Sequence, residues 1–313
     1  MTQRESQPLF FCIPVCLTPT VIRTIMPKNS MNQRLRPGKA DSMQIRTAAP
    51  GDVPSLKTLW EERFGDGRNY IDLFFSNCFV PEQTLTAVDP DGRLCGACYL
   101  LPCFLITPRG QQAADMLYAL AVQRDLEGQG IGSLLLEEAR SRADRQHAAL
   151  ILSPSMPSLS EYYARRSFRA VFYRQEREID CPDNAPLPRI RPCDAAAYTR
   201  LRDSRYQAPG TVRWDTHAIA WALTDHALDG GECITFELGD LQGAVLYRKQ
   251  ENTLYVTETT FPAALEHRAV LAACRHAGCT KAVLSDVQVH EGTVYGMIYG
   301  SDISQGYFNL ALE

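Results

Sequence analysis

Two patterns of apolar and polar residues meet near the middle of the chain. Residues 116–122 (MLYALAV) form a short apolar run bounded by polar residues, which is typical of a buried β-strand. Further along, Ile131, Leu135 and Ala139 recur at helical spacing, with charged residues on the opposite side, and predict an amphipathic helix over 131–146. The sequence therefore predicts a strand and then a helix, joined by the segment between them.

The segment that leads into this helix is rich in glycine, with Gly128, Gly130 and Gly132 at spacings of two residues. Such a turn leaves backbone N–H groups without carbonyl partners at a helix start, where the helix dipole adds partial positive charge. This favours a phosphate or diphosphate, although an ordinary strand–helix connection can carry the same glycines. Neither a P-loop nor a dinucleotide fold is indicated, because no lysine followed by Ser or Thr is present here and several strand-like runs precede the turn.

The rest of the first half predicts an α/β architecture of the α+β type, with a mixed sheet. Strands are expected at 44–48, 84–88, 93–106, 112–122, 149–153 and 170–178, and helices at 52–64, 69–79, 131–146 and 158–167. Phe74 and Phe75, in the second predicted helix, are assigned to the core or to the wall of a cleft.

The glycine loop resembles the acetyl-CoA diphosphate loop of the GNAT superfamily of N-acetyltransferases. That loop usually reads Arg or Gln, two residues, Gly, one residue, then Gly or Ala, and Gly130 and Gly132 occupy its two small positions. A second segment, 162–168 (YYARRSF), resembles the family signature Phe-Tyr-x-x-x-Gly-Phe. The resemblance covers roughly 112–170 and implies a GNAT acyl-CoA N-acyltransferase fold over 43–181, with acetyl-CoA as cosubstrate and no metal.

The resemblance also assigns roles to residues. The backbone of the loop would bind the diphosphate, through Glu127, Gly128, Gln129, Gly130, Ile131 and Gly132. A backbone N–H of the central strand, at Leu120, Ala121 or Val122, would stabilise the oxyanion of the transition state. Tyr163 matches the tyrosine that protonates the departing thiolate, and a phenol with a pKa of roughly 10 carries that proton at neutral pH. Tyr163 could instead be a packed aromatic, and Tyr162 is assigned to packing or to the cleft lining.

Two residues depart from the family pattern. Glu127 replaces the usual Arg or Gln and puts a negative charge near a diphosphate; we expect it to point to solvent, with some loss of cofactor affinity. Ser167 replaces a glycine that often ends a helix in the left-handed conformation, which serine can adopt with modest strain.

The base that deprotonates the amine is not identified by any motif. Asp115 and Tyr118 lie on the strand that enters the predicted site, Glu258 lies in a strand-like run of the second half, and Glu313 ends the sequence. Each is expected to be a solvated or core-edge residue rather than the base, and a chain of water molecules would serve equally well.

Composition changes this picture little. The chain has 313 residues, a formal net charge of −4 and 45% hydrophobic residues, which is ordinary for a globular protein and shows no basic nucleic-acid surface. Its 11 cysteines are an odd count scattered through apolar runs and predict reduced thiols in the cytoplasm, with no zinc spacing. Cys95 and Cys98 form a CGAC inside a strand-like run, so a redox role is not favoured.

The ends of the chain are expected to differ from the central module. Residues 1–42 are predicted to be an extension outside the fold, disordered over 28–41, and the apolar run at 9–17 is too short to span a membrane. An alternative hypothesis is that the native protein begins at Met43.

Residues 182–313 follow a Pro-rich joint and resemble a second, degenerate GNAT-like domain, with an unrelated α+β domain as the alternative. Strands near 233–238, 241–249, 253–261 and 281–286 and a helix at 263–277 are expected there. The counterpart of the phosphate loop, TTFPAALEHRAV, has no glycine, so no second diphosphate site is expected.

Together these features predict an acetyl-CoA-dependent N-acetyltransferase that acts by direct transfer on a primary amine of a small molecule or peptide. A catalytically silent acyl-CoA-binding or regulatory module and a transferase of a longer acyl group are the alternatives. No nucleic-acid or membrane partner is expected.

Overall fold

The computed structural model describes residues 42–182, 187–289 and 291–310, and within these ranges thirteen strands form a single mixed sheet flanked by seven helices. The predicted extension before Ser42 and the terminal carboxylate of Glu313 lie outside the described residues. No helix in the described ranges is long and apolar enough to cross a membrane.

The elements of the first half agree closely with the periodicity of the sequence. Its strands are β1 (Gln44–Thr47), β2 (Thr84–Val88), β3 (Leu94–Thr107), β4 (Gly110–Val122), β5 (Ala149–Leu152) and β6 (Arg169–Asp180). Its helices are α1 (Val53–Phe64), α2 (Arg68–Asn77), α3 (Ile131–Gln146) and α4 (Pro157–Ala164). Only α4 ends clearly earlier than predicted, because the chain turns at Ser167, whose φ is 66°. The expected left-handed serine is thereby confirmed.

The second half contains more elements than the sequence predicts. Its strands are β7 (Arg191–Pro192), β8 (Val212–Arg213), β9 (Gly231–Leu238), β10 (Leu241–Gln250), β11 (Thr253–Thr259), β12 (Lys281–Val289) and β13 (Thr293–Tyr299). Its helices are α5 (Ala195–Arg205), α6 (Thr216–Leu228) and α7 (Ala263–Ala277). The predicted strands β9 to β12 and helix α7 are confirmed, whereas α6, β8 and β13 are not anticipated.

The order of strands in the sheet is nearly symmetric about its middle. Twelve strands run β1-β2-β3-β4-β5-β13-β6-β12-β11-β10-β9-β7, and β8 pairs with β3 outside this row. Each half contributes one parallel pair, β4 with β5 and β11 with β12. The two innermost strands are exchanged: β13 pairs with β5, and β6 pairs with β12. The two halves therefore share one continuous sheet, and the predicted division of the chain at residues 181–182 stays a prediction.

Different helices cover the two faces of this sheet in the first half. Helices α3 and α4 pack on one face, where Leu135 and Leu150 are completely buried. The opposite face carries α1 and α2 together with α6 of the second half, around the buried rings of Trp60, Phe74 and Trp221. Each such large side chain contributes roughly 1.5–3 kcal/mol on burial. Phe74 is completely buried and belongs to this core.

Candidate active site

The two parallel strands of the first half separate towards their carboxyl ends. Strand β4 pairs with β5 only from Ala114 to Met116, opposite Ala149 to Ile151, although β4 continues to Val122. Beyond Met116 the edge of β4 that faces β5 is therefore no longer part of the parallel ladder. This separation creates a wedge between the strands, with α3 on one face of the sheet and α1 and α2 on the other.

A bulge in β4 lies inside this wedge. The register with β3 shifts between the pairs Ala97–Ala121 and Tyr99–Tyr118, and Ala119 has a φ of 47°, which only a bulge or turn imposes on alanine. Past the bulge, the Gln123 N–H donates to the Cys95 carbonyl on β3 at 2.9 Å.

That bond fixes the direction of the preceding amides. Because successive residues of an antiparallel strand point their N–H groups to alternate sides, Ala121 directs its N–H towards β3. Val122 directs its N–H to the other side, into the wedge, whereas Leu120 lies in the bulge, where this alternation is interrupted. Of the three backbone positions chosen from the sequence, Val122 is therefore oriented towards the space between the separating strands, and Leu120 lies in the bulge beside it.

The glycine loop connects the end of β4 to the start of α3. Gly130 caps the helix with a φ of 87°, and Gly128 has a φ of 73°, both in the left-handed region that favours glycine. The Ser133 N–H is the first in the helix with a backbone acceptor, the Gly130 carbonyl at 2.9 Å. Within the described ranges, the backbone amides from Gln129 to Gly132 have no backbone acceptor, as expected for a site that binds an anion.

Gly96 on β3 allows α3 to lie close beneath the loop. A Cβ at this position would lie 2.9 Å from the Ala121 carbonyl oxygen and 3.2 Å from a methyl group of Leu135. Gly96 is the second residue of the CGAC segment, whose Cys95 and Cys98 are both completely buried in β3. This segment thus serves the packing of α3 on the sheet, a role that its spacing alone does not reveal.

The expectation that Glu127 points to solvent is wrong. Its carboxylate forms an ion pair with the Arg63 guanidinium, which reaches the loop from α1, 64 residues earlier in the chain. The Arg63 side chain is only 6% exposed and that of Glu127 is 26% exposed. The physical reason is the buried arginine: its charge needs a partner, and Glu127 is the carboxylate within reach. The sequence carries no local signal for this contact, because the partners are far apart.

A second arginine lies beside the first turn of α3. Arg166, just after α4, donates from one Nη to Ser133 Oγ and from the other to the Tyr162 carbonyl, both at 3.0 Å. Its guanidinium carbon is 3.6 Å from the centre of the Tyr162 ring, in a cation–π contact. The Tyr162 hydroxyl is 2.9 Å from Ser133 Oγ. Tyr162 therefore links α4 to the first turn of α3 by a hydrogen bond, in addition to the packing role predicted from the sequence.

Tyr163 lies in the core between α4 and the sheet. Its side chain is completely buried, with its ring centre 5.3 Å from that of Tyr162 and 5.8 Å from that of Phe168. It shares a hydrophobic cluster with Leu120 and Leu152, which lie on the two separating strands. Tyr163 therefore lies on the face of the sheet that carries α3 and the glycine loop. This location fits both interpretations from the sequence, a packed aromatic residue and the acid that protonates the thiolate.

Two of the four base candidates lie on β4, on opposite faces of the sheet. Asp115 is half-buried near Arg142 of α3, and burial raises the pKa of its carboxyl group while Arg142 partly offsets the shift. Tyr118 faces α2, where its hydroxyl oxygen is 3.0 Å from that of Tyr70. Tyr118 follows Met116, the last residue of β4 that pairs with β5, so it lies at the wedge on the face opposite α3.

Glu258, the third candidate, lies outside the wedge of the first half. Its carboxylate is completely buried on β11 and accepts bonds from the Tyr198 hydroxyl, from Arg202 Nε at 3.1 and 3.2 Å, and from the Tyr307 hydroxyl at 2.5 Å. Burial raises the pKa of both phenols, and the neighbouring carboxylate adds to the shift. Such an inaccessible, hydrogen-bonded cluster indicates a structural role rather than the solvated or core-edge one expected.

The second half has no counterpart of the glycine loop. Only three residues, 260–262, separate β11 from α7, whereas eight residues, 123–130, separate β4 from α3. Pro262 caps α7, and Phe261 beside it is buried. The short connection and the bulky residues agree with the absence of glycine noted in the sequence.

Comparison with known proteins relates part of the chain to a protein family. Residues 82–180 match the family model of the acetyltransferase (GNAT) domain. The chain therefore contains a domain of the GNAT superfamily and has its fold, and that family transfers acyl groups from acyl-CoA. No curated protein matches the chain.

Solved structures support the same fold over most of the chain. A conserved protein of unknown function from Enterococcus faecalis V583 is 13% identical, with a TM-score of 0.68, over 82% of this chain and 72% of that one. A GCN5-related N-acetyltransferase from Anabaena variabilis is 11% identical, with a TM-score of 0.67 and the same coverage. Another from Kribbella flavida is 16% identical, with a TM-score of 0.62, over 83% of this chain and 72% of that one.

Among the described residues, no group of three or more His, Cys, Asp or Glu side chains is placed to hold a metal ion. All nine cysteines of the described ranges are free thiols.

Proposed function

We propose that the chain is an acetyl-CoA-dependent N-acetyltransferase that transfers the acetyl group directly to a primary amine. The observation that carries this proposal is the glycine loop, whose amides from Gln129 to Gly132 have no backbone acceptor in the described ranges and point out of the start of α3. In this proposal those amides and the helix dipole bind the CoA diphosphate.

In the proposed reaction the neutral amine nitrogen attacks the thioester carbon, the carbon–sulfur bond breaks, the nitrogen loses a proton to water, and the thiolate receives one. The proposed donors to the oxyanion are the N–H of Val122, which points into the wedge, and the N–H of Leu120 in the bulge beside it. Ala121 would act through its place in the strand rather than through its N–H. Tyr163 is the proposed acid for the thiolate, because it lies on the α3 side of the wedge between the two strands.

The acceptor is proposed to be a small-molecule or peptide amine that approaches from the opposite face. Tyr118 and Tyr70 lie on that face, beside Trp60 and Trp221, with ring centres 5.9 Å apart for Trp60 and Tyr118. Trp221 belongs to α6, so the second half contributes to this face of the wedge. A proposed role of the second half is therefore to shape the acceptor site.

The proposal is tested by release of free thiol from acetyl-CoA with a panel of primary amines, comparing the wild type with Tyr163→Phe. Tyr162→Phe is the matched control, because it removes the same hydroxyl group from the neighbouring tyrosine. We expect Tyr163→Phe to lower kcat by about 10²-fold with unchanged CoA affinity, as for loss of a general acid. Unchanged turnover in Tyr163→Phe would refute the acid assignment, and the same assay with longer acyl-CoA thioesters tests the acyl chain.

A second candidate function is a catalytically silent acyl-CoA-binding module, which the complete burial of Tyr163 favours. It predicts that acetyl-CoA binds but that none of the amines accelerates thiol release. Binding and turnover measured on the same preparation distinguish the two functions.

A further inference from the structure

Two arginines outside the glycine motif lie at the proposed cofactor loop. Arg63 belongs to the last turn of α1, and only 6% of its side chain is exposed. Arg166 follows α4 and is half-buried against Tyr162. Neither is recognisable from the loop sequence, yet both bring positive charge to its vicinity.

Arg63 neutralises Glu127, the acidic residue directly before the glycines of the loop. Glu127 precedes the glycines directly, so an unpaired carboxylate there would repel a diphosphate bound at the start of α3. The ion pair with Arg63 neutralises that carboxylate. Arg63 Nε is buried and has no acceptor among the described residues, so the guanidinium keeps donor capacity beside the loop.

Arg166 adds a fixed positive charge at the first turn of α3. Its bond to Ser133 Oγ at 3.0 Å attaches it to the third residue of α3, beside the positive end of the helix dipole. Its stacking on Tyr162 and its second bond to the Tyr162 carbonyl restrict the side chain before any ligand arrives. Little entropy is therefore lost when an anion binds next to it.

We propose, on the basis of the acyl-CoA-binding function proposed above, that Arg63 and Arg166 together do what an arginine at position 127 would do. Arg63 is a positioning residue that neutralises Glu127 and holds the loop to α1. Arg166 is the binding residue whose guanidinium contacts a phosphate of CoA. With Glu127 neutralised by Arg63, the Glu127 carboxylate does not oppose the charge of Arg166 at the start of α3.

The first test is a charge-rescue cycle at the Arg63–Glu127 pair, with CoA affinity measured by calorimetry. We expect Arg63→Met to weaken binding about tenfold, by leaving Glu127 unpaired beside the diphosphate. Glu127→Gln should stay within about threefold of the wild type, and the double variant should recover most of the loss. Arg93→Met is the matched control, because it breaks the exposed pair with Asp125, whose atoms are 3.3 Å apart.

The cycle separates charge neutralisation from mere packing. A double variant as weak as Arg63→Met would overturn the role given to Arg63, since removing the carboxylate should then have restored affinity. Where Arg63→Met does not fold, Arg63→Lys against Arg63→Gln carries the same test: the lysine variant should bind CoA more tightly, and equal affinities contradict the proposal.

The second test concerns Arg166 and uses its exposed neighbour Arg165 as the control. Arg166→Gln should weaken CoA binding about tenfold and reduce its salt dependence, because one cation no longer contacts phosphate. Arg165→Gln removes the same charge but should stay within about twofold. Equal affinity of Arg166→Gln and the wild type overturns this inference alone, whereas a wild type that binds no CoA overturns the proposed function itself.

Discussion

Replacing Glu258 by glutamine should destabilise the protein severely while leaving the proposed active site intact. Glu258 is completely buried, and its carboxylate is the only ion-pair partner of Arg202 in the described ranges, with 1% of the Arg202 side chain exposed. Burial opposes the charged form of Arg202, but the Glu258 carboxylate and nearby phenols outweigh it, so the pKa of Arg202 is raised. The arginine stays charged when its partner is removed, because a guanidinium group is not deprotonated in proteins.

The expected magnitude follows from that unpaired charge. Removing one partner of a buried ion pair costs about 3–5 kcal/mol, whereas replacing both partners by apolar residues of similar size is often neutral. A typical protein is stable by only about 5–15 kcal/mol, so Glu258→Gln should remove a large fraction of its stability. The double variant Arg202→Met with Glu258→Gln should be more stable than Glu258→Gln alone, because no buried charge remains unpaired.

Urea denaturation at pH 7, followed by circular dichroism, measures these differences. Asp203→Asn is the matched control. Asp203 lies next to Arg202 on α5, and its ion pair with Arg213 is partly exposed, with the two atoms 3.7 Å apart. We expect that control to change the unfolding free energy by less than about 1 kcal/mol. A Glu258→Gln variant as stable as the wild type but without transferase activity would refute this reasoning and make Glu258 a candidate base.

Two further predictions concern the loop and a buried histidine. Gly130→Val should abolish detectable CoA binding in calorimetry, because valine strongly disfavours the φ of 87° at the helix cap; retained affinity would contradict the phosphate-binding loop. Burial lowers the pKa of His226 to about 4, with Arg248 adding to the effect, so the unfolded state binds more protons below pH 6.5. Stability should fall by about 2 kcal/mol more between pH 7 and 5 in the wild type than in His226→Gln, measured by urea denaturation, and equal losses would refute this.

Local patterns predicted the first half of the fold and the loop well. The helix α3 has the predicted bounds because its periodicity and the glycines before it are contiguous in the chain. The residues from Glu127 to Gly132 lie at the entry to α3, as the glycines in the sequence predict. Helix α6 could also have been found, since Asp215 caps it by accepting a bond from the Ala218 N–H at 2.7 Å.

Contacts between distant residues could not be predicted in this way. The exchange of β13 and β6 depends on which strands are neighbours in the sheet, and an apolar alternation such as that of β13 does not specify its partner. The ion pair of Arg63 with Glu127 likewise joins residues 64 positions apart. The roles of Tyr163 and of the backbone at Leu120 and Val122 remain predictions, supported by where the structure places them.

Calorimetric titration of the purified chain with acetyl-CoA measures directly whether the glycine loop of the first half is a cofactor site. We expect saturable binding of one acetyl-CoA per chain, since the glycine loop of the first half has no counterpart between β11 and α7. No binding at all would contradict the loop as a cofactor site, and two molecules per chain would contradict the assignment of binding to the first half alone.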